Sequence, residues 1–92
     1  MIDALPFMRL KFADEHGLIK QFEHIDSERL EVQQAFESPE SIEYVAEELA
    51  DLAQSAVTAL YIIERQYGIH PLDVVVRNNQ KNIARGYDRA DN

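Results

Sequence analysis

The chain has 92 residues, 17 acids against 9 bases, a formal charge of −8 and no cysteine. That length makes one small domain with a limited core, and the charge argues against nucleic-acid or anionic-membrane binding, which call for basic patches. Disulfides, thiolate metal sites and thiol catalysis are excluded, and no apolar run approaches membrane-spanning length.

The opening, Met1-Ile2-Asp3-Ala4-Leu5-Pro6, has no basic region followed by an apolar stretch. It does not read as a secretory signal, and the default location is the cytoplasm. Only 3 Gly and 3 Pro imply few turns and long helices. Residues 1–16 read two ways. Leu5, Met8 and Phe12 fit a short helix, whereas Met8, Leu10 and Phe12 alternate like a strand. His16-Gly17 reads as a break.

From Leu18 to Phe36 the period is helical. Leu18, Phe22, Ile25, Val32 and Phe36 make an apolar stripe, with the Arg29 stem filling its gap. His24, Glu28, Glu31 and Ala35 make a second, polar stripe. Ser38-Pro39-Glu40 then predicts the next helix start, with Ser38 as N-cap and Pro39 at the first helical position. That helix is expected to run to about Tyr67 and stop at Gly68, a length of about 40 Å at 1.5 Å per residue. Its apolar face is broad. Ile42, Leu49, Ala56 and Ile63 recur every seventh residue, as do Val45, Leu52 and Ala59, and Ala46, Ala53, Leu60 and Tyr67. A face that wide can meet more than one neighbour, as in a bundle.

Ile69-His70-Pro71 starts a third helix, with Pro71 at its first position and Ile69 placed to staple against Val74. Leu72, Val75, Val76 and Ile83 form its apolar side. Asn78, Lys81, Asn82 and Arg85 form a polar stripe at i, i+3, i+4 and i+7, and Gly86 suits the C′ position. Residues 88–92 read as a frayed tail. The expected fold is all-α: one antiparallel helix bundle over residues 1–92, completed by oligomerisation, because three helices cannot bury every side of the long one.

Two acidic pairs carry the chemistry. Glu28 and Glu31 lie three apart on one helix, and Glu48 and Asp51 lie three apart on the next. Residues at i and i+3 share a face, so antiparallel packing converges four carboxylates. A solvated helix face carries such pairs too, but it usually interleaves bases. Here Glu47, Glu48 and Asp51 crowd one turn, and the only base on that helix is Arg65. Four clustered anions raise each other's ionisation cost. A hard divalent cation with oxygen ligands relieves this, and Mg²⁺ fits best, with Mn²⁺ as a substitute. Lys81 and Arg85 are donors suited to phosphate, and Asn78 and Asn82 to a sugar or base edge. His24, one turn before Glu28, reads as a surface residue more readily than as a ligand. His16 and His70 read as loop and cap residues, and Ser55 and Thr58 lack the paired base that nucleophilic work needs.

The arrangement resembles the MazG-like, all-α nucleotide pyrophosphohydrolases. That family carries Glu-x-x-Glu on one helix and Glu-x-x-Asp on the next; here the pairs are Glu28 with Glu31 and Glu48 with Asp51. The stretch Ala46-Glu47-Glu48-Leu49-Ala50-Asp51-Leu52 is similar to the second motif. Lys81-Asn82 followed by Arg85 is similar to the family's Lys-Asn-x-x-Arg element, and the likeness runs from about Ile25 to Tyr87. The family often opens its first motif with a double Glu, where this chain has Ser27, and residues 1–16 have no counterpart in it. The resemblance implies a Mg²⁺-dependent nucleoside triphosphate pyrophosphohydrolase that yields a monophosphate and pyrophosphate; the unburied breadth of the long helix adds the expectation of a dimer or a dimer of dimers. Glu28, Glu31, Glu48 and Asp51 would be the metal ligands, Glu31 the base that takes a proton from water, with Glu28 its alternative, and Asn78, Lys81, Asn82 and Arg85 the substrate contacts. Two other readings stand beside it: a phosphoribosyl-ATP pyrophosphohydrolase, and a non-catalytic helical interaction module.

Overall fold

The computed structural model describes residues 7–38 and 41–88. They form four helices and no strand: α1 (Phe12–Glu15), α2 (Leu18–Glu37), α3 (Ile42–Tyr67) and α4 (Pro71–Ala84). The expected all-α class and the three long helices are observed. No helix among the described residues is long and apolar enough to cross a membrane. The Leu5, Pro39 and Glu40 readings, and the tail beyond Asp88, lie outside the described residues.

The N-terminal ambiguity resolves as a single helical turn, with Phe7 to Leu10 irregular before it. Ala13 is fully buried, and its turn is pinned to α3 from outside. Arg65 donates from Nε to the Ala13 carbonyl at 2.9 Å and from Nη2 to the His16 carbonyl. Gln54 donates to the Met8 carbonyl at 3.1 Å. Arg9 holds Asp14 through two hydrogen bonds of 2.7 and 2.8 Å and lies 5.6 Å from the Tyr61 ring centre.

The break between α2 and α3 falls where expected, but its parts have other roles. Ser38 closes α2: its N–H bonds the Gln34 carbonyl and its backbone is extended, at φ −89° and ψ 162°. A residue before proline is disfavoured in the α region, so α2 ends there. The N-cap of α3 is Ser41, whose side chain accepts from the Tyr44 N–H at 3.2 Å. This corrects the assignment of that cap to Ser38.

The ends of α3 and α4 need left-handed backbone, which glycine adopts without a Cβ clash. At Gly68 φ is +72°, and its N–H returns to the Glu64 carbonyl. At Gly86 φ is +77°. The Gly86 N–H bonds Ile83 and the Tyr87 N–H bonds Asn82, a full Schellman closure. His70 caps α4 as expected, with Nδ1 accepting from the Leu72 N–H at 3.2 Å.

α2 and α3 pack antiparallel. Gln21 meets Ser55, Glu28 meets Ser55 from the other side, and Ala35 and Tyr44 share a cleft at the far end. The face of α2 turned inward runs Leu18, Gln21, Ile25, Glu28, Val32, Ala35, with Gln21, Glu28 and Ala35 buried and the others half-buried. These steps of three and four form a heptad seam. Half of the expected stripe belongs to it. Phe22 and Phe36 do not, and stand 54% and 72% exposed. Polar Gln21 and Glu28 occupy the places where a purely apolar pattern would put large side chains.

The buried apolar core among the described residues is Ala13, Ala35, Val45, Ala59 and Ile62. Three of these are alanines, so the burial gain is small against an ordering cost of roughly 1–2 kcal/mol per residue. On α3, Ile42, Leu49 and Ala56 stay exposed, so its breadth is not used up by α2. α4 approaches only α3 among the described elements and has no buried residue. The overall extents of 43 × 41 × 19 Å describe a flat, elbowed molecule with α4 as an arm.

Candidate metal centre

The site is built at the crossing of the second half of α2 and the first half of α3. Glu28 comes from the inward seam of α2, and Glu48 and Asp51 come from adjoining turns of α3. One carboxylate oxygen from each lies within 4.8 Å of the other two. An octahedral Mg²⁺ holds oxygens at about 2.1 Å, so ligands across the ion are about 4.2 Å apart. Small side-chain rotations close the difference. Three hard oxygen donors on two helices, with the third side open, fit such an ion, which keeps several waters.

Glu31, expected as the fourth ligand, is exposed and outside that tight group. It is still a neighbour. Desolvation pushes the Glu48 carboxyl above its usual value, and the charges of Glu31 and Asp51 and a hydrogen bond with Glu31 push the same way. A hydrogen bond from Tyr44 opposes them. The Glu48 carboxyl is thus disfavoured as an anion first by desolvation and then by its acidic neighbours. Beside Glu31 an open cleft of about 160 Å³ is lined by Gln34, Ala35, Ser38 and Tyr44.

Glu28 differs from the others in being buried, at 9% exposure. Ser55 Oγ donates to its Oε1 at 2.7 Å, and His24 Nε2 lies 2.7 Å from the same oxygen. No other protein donor reaches the Glu28 carboxylate among the described residues. A polar line continues from Ser55. The Gln21 side chain donates to the Ser55 carbonyl at 2.9 Å, and His16 Nδ1 lies 3.0 Å from Gln21 Oε1. Every fully buried side-chain nitrogen or oxygen among the described residues has a partner.

Sequence reasoning missed the contact of Ser55 with Glu28, whereas His24 is exposed as expected and lies against Glu28 one turn on. Ser55 stands on the turn after Asp51, seven residues after Glu48, and Gln21 stands seven residues before Glu28. That heptad spacing was the signal available. It was masked because Gln and Glu are not apolar and drop out of a hydrophobic count. Ser55 and Thr58 are both buried, at 5% and 1% exposure.

The predicted substrate residues do not join the carboxylates within one chain. The elbow between α3 and α4 packs Val57, Leu60, Tyr61 and Glu64 around His70, Pro71, Leu72 and Val75, with a pocket of about 300 Å³ that Phe7 also lines. Asn78, Lys81, Asn82 and Arg85 lie further along α4, which makes no close approach to α2. Lys81 and Arg85 are exposed, and Arg85 lies 5.9 Å from the Tyr87 ring centre. Among the described residues no Lys or Arg pairs with Glu28, Glu31, Glu48 or Asp51. Comparison with family models, curated proteins and solved structures found no match to this chain.

Proposed function

We propose that this chain is a Mg²⁺-dependent nucleoside triphosphate pyrophosphohydrolase. The observation that carries the reading is the convergence of Glu28, Glu48 and Asp51 oxygens within 4.8 Å, with no Lys or Arg paired to them among the described residues. The motif resemblance to the MazG-like enzymes supports the same reading from the sequence side. Bound Mg²⁺ supplies charge neutralisation of the triphosphate and polarisation of water. The chain's own residues do the rest. Glu28, Glu48 and Asp51 hold the metal. Glu31, exposed beside Glu48 and outside the tight group, is free to take a proton from the attacking water. Cleavage between the α and β phosphates then releases a monophosphate and pyrophosphate.

Lys81 and Arg85 bind phosphate oxygens, and Asn78 and Asn82 bind sugar or base. Because the α4 arm leaves α2, these residues serve a site on a neighbouring copy. A homo-oligomer is thus part of the proposal. The exposure of Phe22, Phe36, Ile42 and Ile83, at 54%, 72%, 67% and 58%, supports it. The expected setting is the cytoplasm. Pyrophosphate release from a panel of ribo- and deoxyribonucleoside triphosphates and phosphoribosyl-ATP, with and without Mg²⁺, tests the reading. Turnover of several triphosphates is expected. Turnover of phosphoribosyl-ATP alone assigns the chain to that narrower reaction, and no turnover of any nucleotide leaves it a helical interaction module.

A further inference from the structure

The Glu28 carboxylate is lopsided. Both groups that reach it, Ser55 Oγ and His24 Nε2, meet Oε1 at 2.7 Å. Oε2 has no protein donor among the described residues, although Glu28 is nine-tenths buried. Every fully buried side-chain oxygen among the described residues has a partner, so Oε2 is the edge of this carboxylate that water or an ion can still reach. Helix geometry explains how one residue of α3 arranges this. Side chains tilt toward a helix N-terminus, while backbone carbonyls point toward its C-terminus. In an antiparallel pair, the Ser55 hydroxyl therefore faces the later turn of α2, where Glu28 sits. Its carbonyl faces the earlier turn, where Gln21 sits and donates at 2.9 Å.

We infer that Ser55 and His24 are positioning residues for the metal ligand Glu28: they hold Oε1 from two sides and so present Oε2 alone to a divalent cation beside Glu48 and Asp51. The inference rests on the metal-site reading above. It adds that Glu28 binds through one oxygen, and that its aim is set by a buried hydroxyl on the helix carrying the other two ligands. His24 sits on an exposed face, and Ser55 lies in the α2–α3 seam. Groups that orient metal ligands in this way are worth about 10–100-fold in metal affinity.

The test is Mn²⁺ binding, read from the paramagnetic resonance of free Mn²⁺ during titration of wild type, Ser55→Ala, Ser55→Thr, His24→Ala and His24→Gln. Circular dichroism and a metal-free melt accompany each protein. The expected result is a Kd raised about tenfold or more in Ser55→Ala and His24→Ala at wild-type helix content. Recovery is expected in Ser55→Thr and His24→Gln, which restore a donor. A purely structural role for either residue would move the metal-free melt and leave the Kd of the folded protein unchanged. If Ser55→Ala fails to fold, the exposed His24 pair decides alone. Wild-type affinity in both alanine variants overturns the positioning role and leaves the metal site standing. No Mn²⁺ binding by wild type overturns both.

Discussion

The α2–α3 pair has two ends that handle charge in opposite ways. Where α1 docks, charged and polar groups pair with one another within the chain. Asp14 has Arg9, the carbonyls of Ala13 and His16 have Arg65, and Gln21 lies between His16 and the Ser55 carbonyl. At the other end Glu28, Glu48 and Asp51 gather, with Glu31 beside Glu48, and among the described residues no Lys or Arg pairs with them. The Arg9 hydrogen bond holds the Asp14 carboxyl below its usual value, whereas desolvation and its acidic neighbours push Glu48 above its own. Both ends belong to the same two helices and the same thin core. On the proposed reading, the carboxylate end takes its positive charge from a bound cation, where the α1 end takes it from Arg9 and Arg65.

The contrast breaks most visibly by removing charge at one end and then the other. Glu48→Gln and Asp51→Asn keep side-chain volume but lose the charge of a proposed metal ligand. Each is expected to lower pyrophosphate release by at least about a hundredfold at unchanged helix content. Asp14→Asn, at the self-sufficient end, is expected to keep turnover within about twofold. Activity near wild type in Glu48→Gln would contradict the site assignment.

Lys81→Ala sharpens the role of the α4 arm. A phosphate contact made in both ground and transition states is lost, so KM is expected to rise about tenfold with kcat little changed. A collapse of kcat at constant KM would move Lys81 into the transition state. Mixing Lys81→Ala with Glu48→Gln is the companion test. Restored turnover in the mixture would place the two residues on different copies of one site.

Arg65→Ala probes the other end. It removes two donors to the carbonyls that anchor α1, with a cost of about 1–3 kcal/mol. Loss of stability with undiminished Mn²⁺ affinity is the expected pattern, read from urea melts and a metal titration. Loss of both would mean that the two ends are not independent.

These contrasts also mark how far the sequence could be read. α2, α3 and α4 were legible because Leu18, Ile25, Val32 and the heptads of α3 repeat at helical spacing, and because Gly68, Pro71 and Gly86 punctuate them. Glu28, Glu48 and Asp51 were legible because i, i+3 acids on consecutive helices must converge if the helices pack antiparallel. The inward face of α2 was not. Its seam alternates Gln21 and Glu28 with aliphatics, and these polar residues are buried only because α3 supplies Ser55 to meet them. Phe22 and Phe36 misled for the complementary reason, being apolar on a face that one chain leaves open. The start of α3 was misplaced from Ser41 to Ser38 because both serines suit a cap. Only the three-dimensional course of α2, which closes at Ser38, decides between them.

The smallest expected effect is on pH dependence. The Glu48 pKa is raised from 4.5 in the folded state. Its stability contribution is present below the unfolded value and is lost as pH rises through the folded one. The Asp14 pKa is lowered from 3.8, so its contribution is present above the unfolded value and is lost as pH falls through the folded one. In chelator, the wild-type melting temperature should decline on both sides of a mildly acidic optimum. Glu48→Gln should flatten the limb above about pH 4.5, and Asp14→Asn the limb below about 3.8. An unaltered upper limb in Glu48→Gln would assign that titration to other groups.

The most direct measurement is a set of four thermal melts at pH 7: wild type and Glu48→Gln, each in EDTA and in Mg²⁺. Mg²⁺ that binds only the folded carboxylates stabilises in proportion to its occupancy. In EDTA, Glu48→Gln should melt above wild type because one repelling charge is gone. In Mg²⁺ the order should reverse, wild type gaining several degrees and the variant much less. Equal Mg²⁺ shifts in the two proteins would contradict a specific metal centre, and with it the enzymatic reading built on Glu28, Glu48 and Asp51.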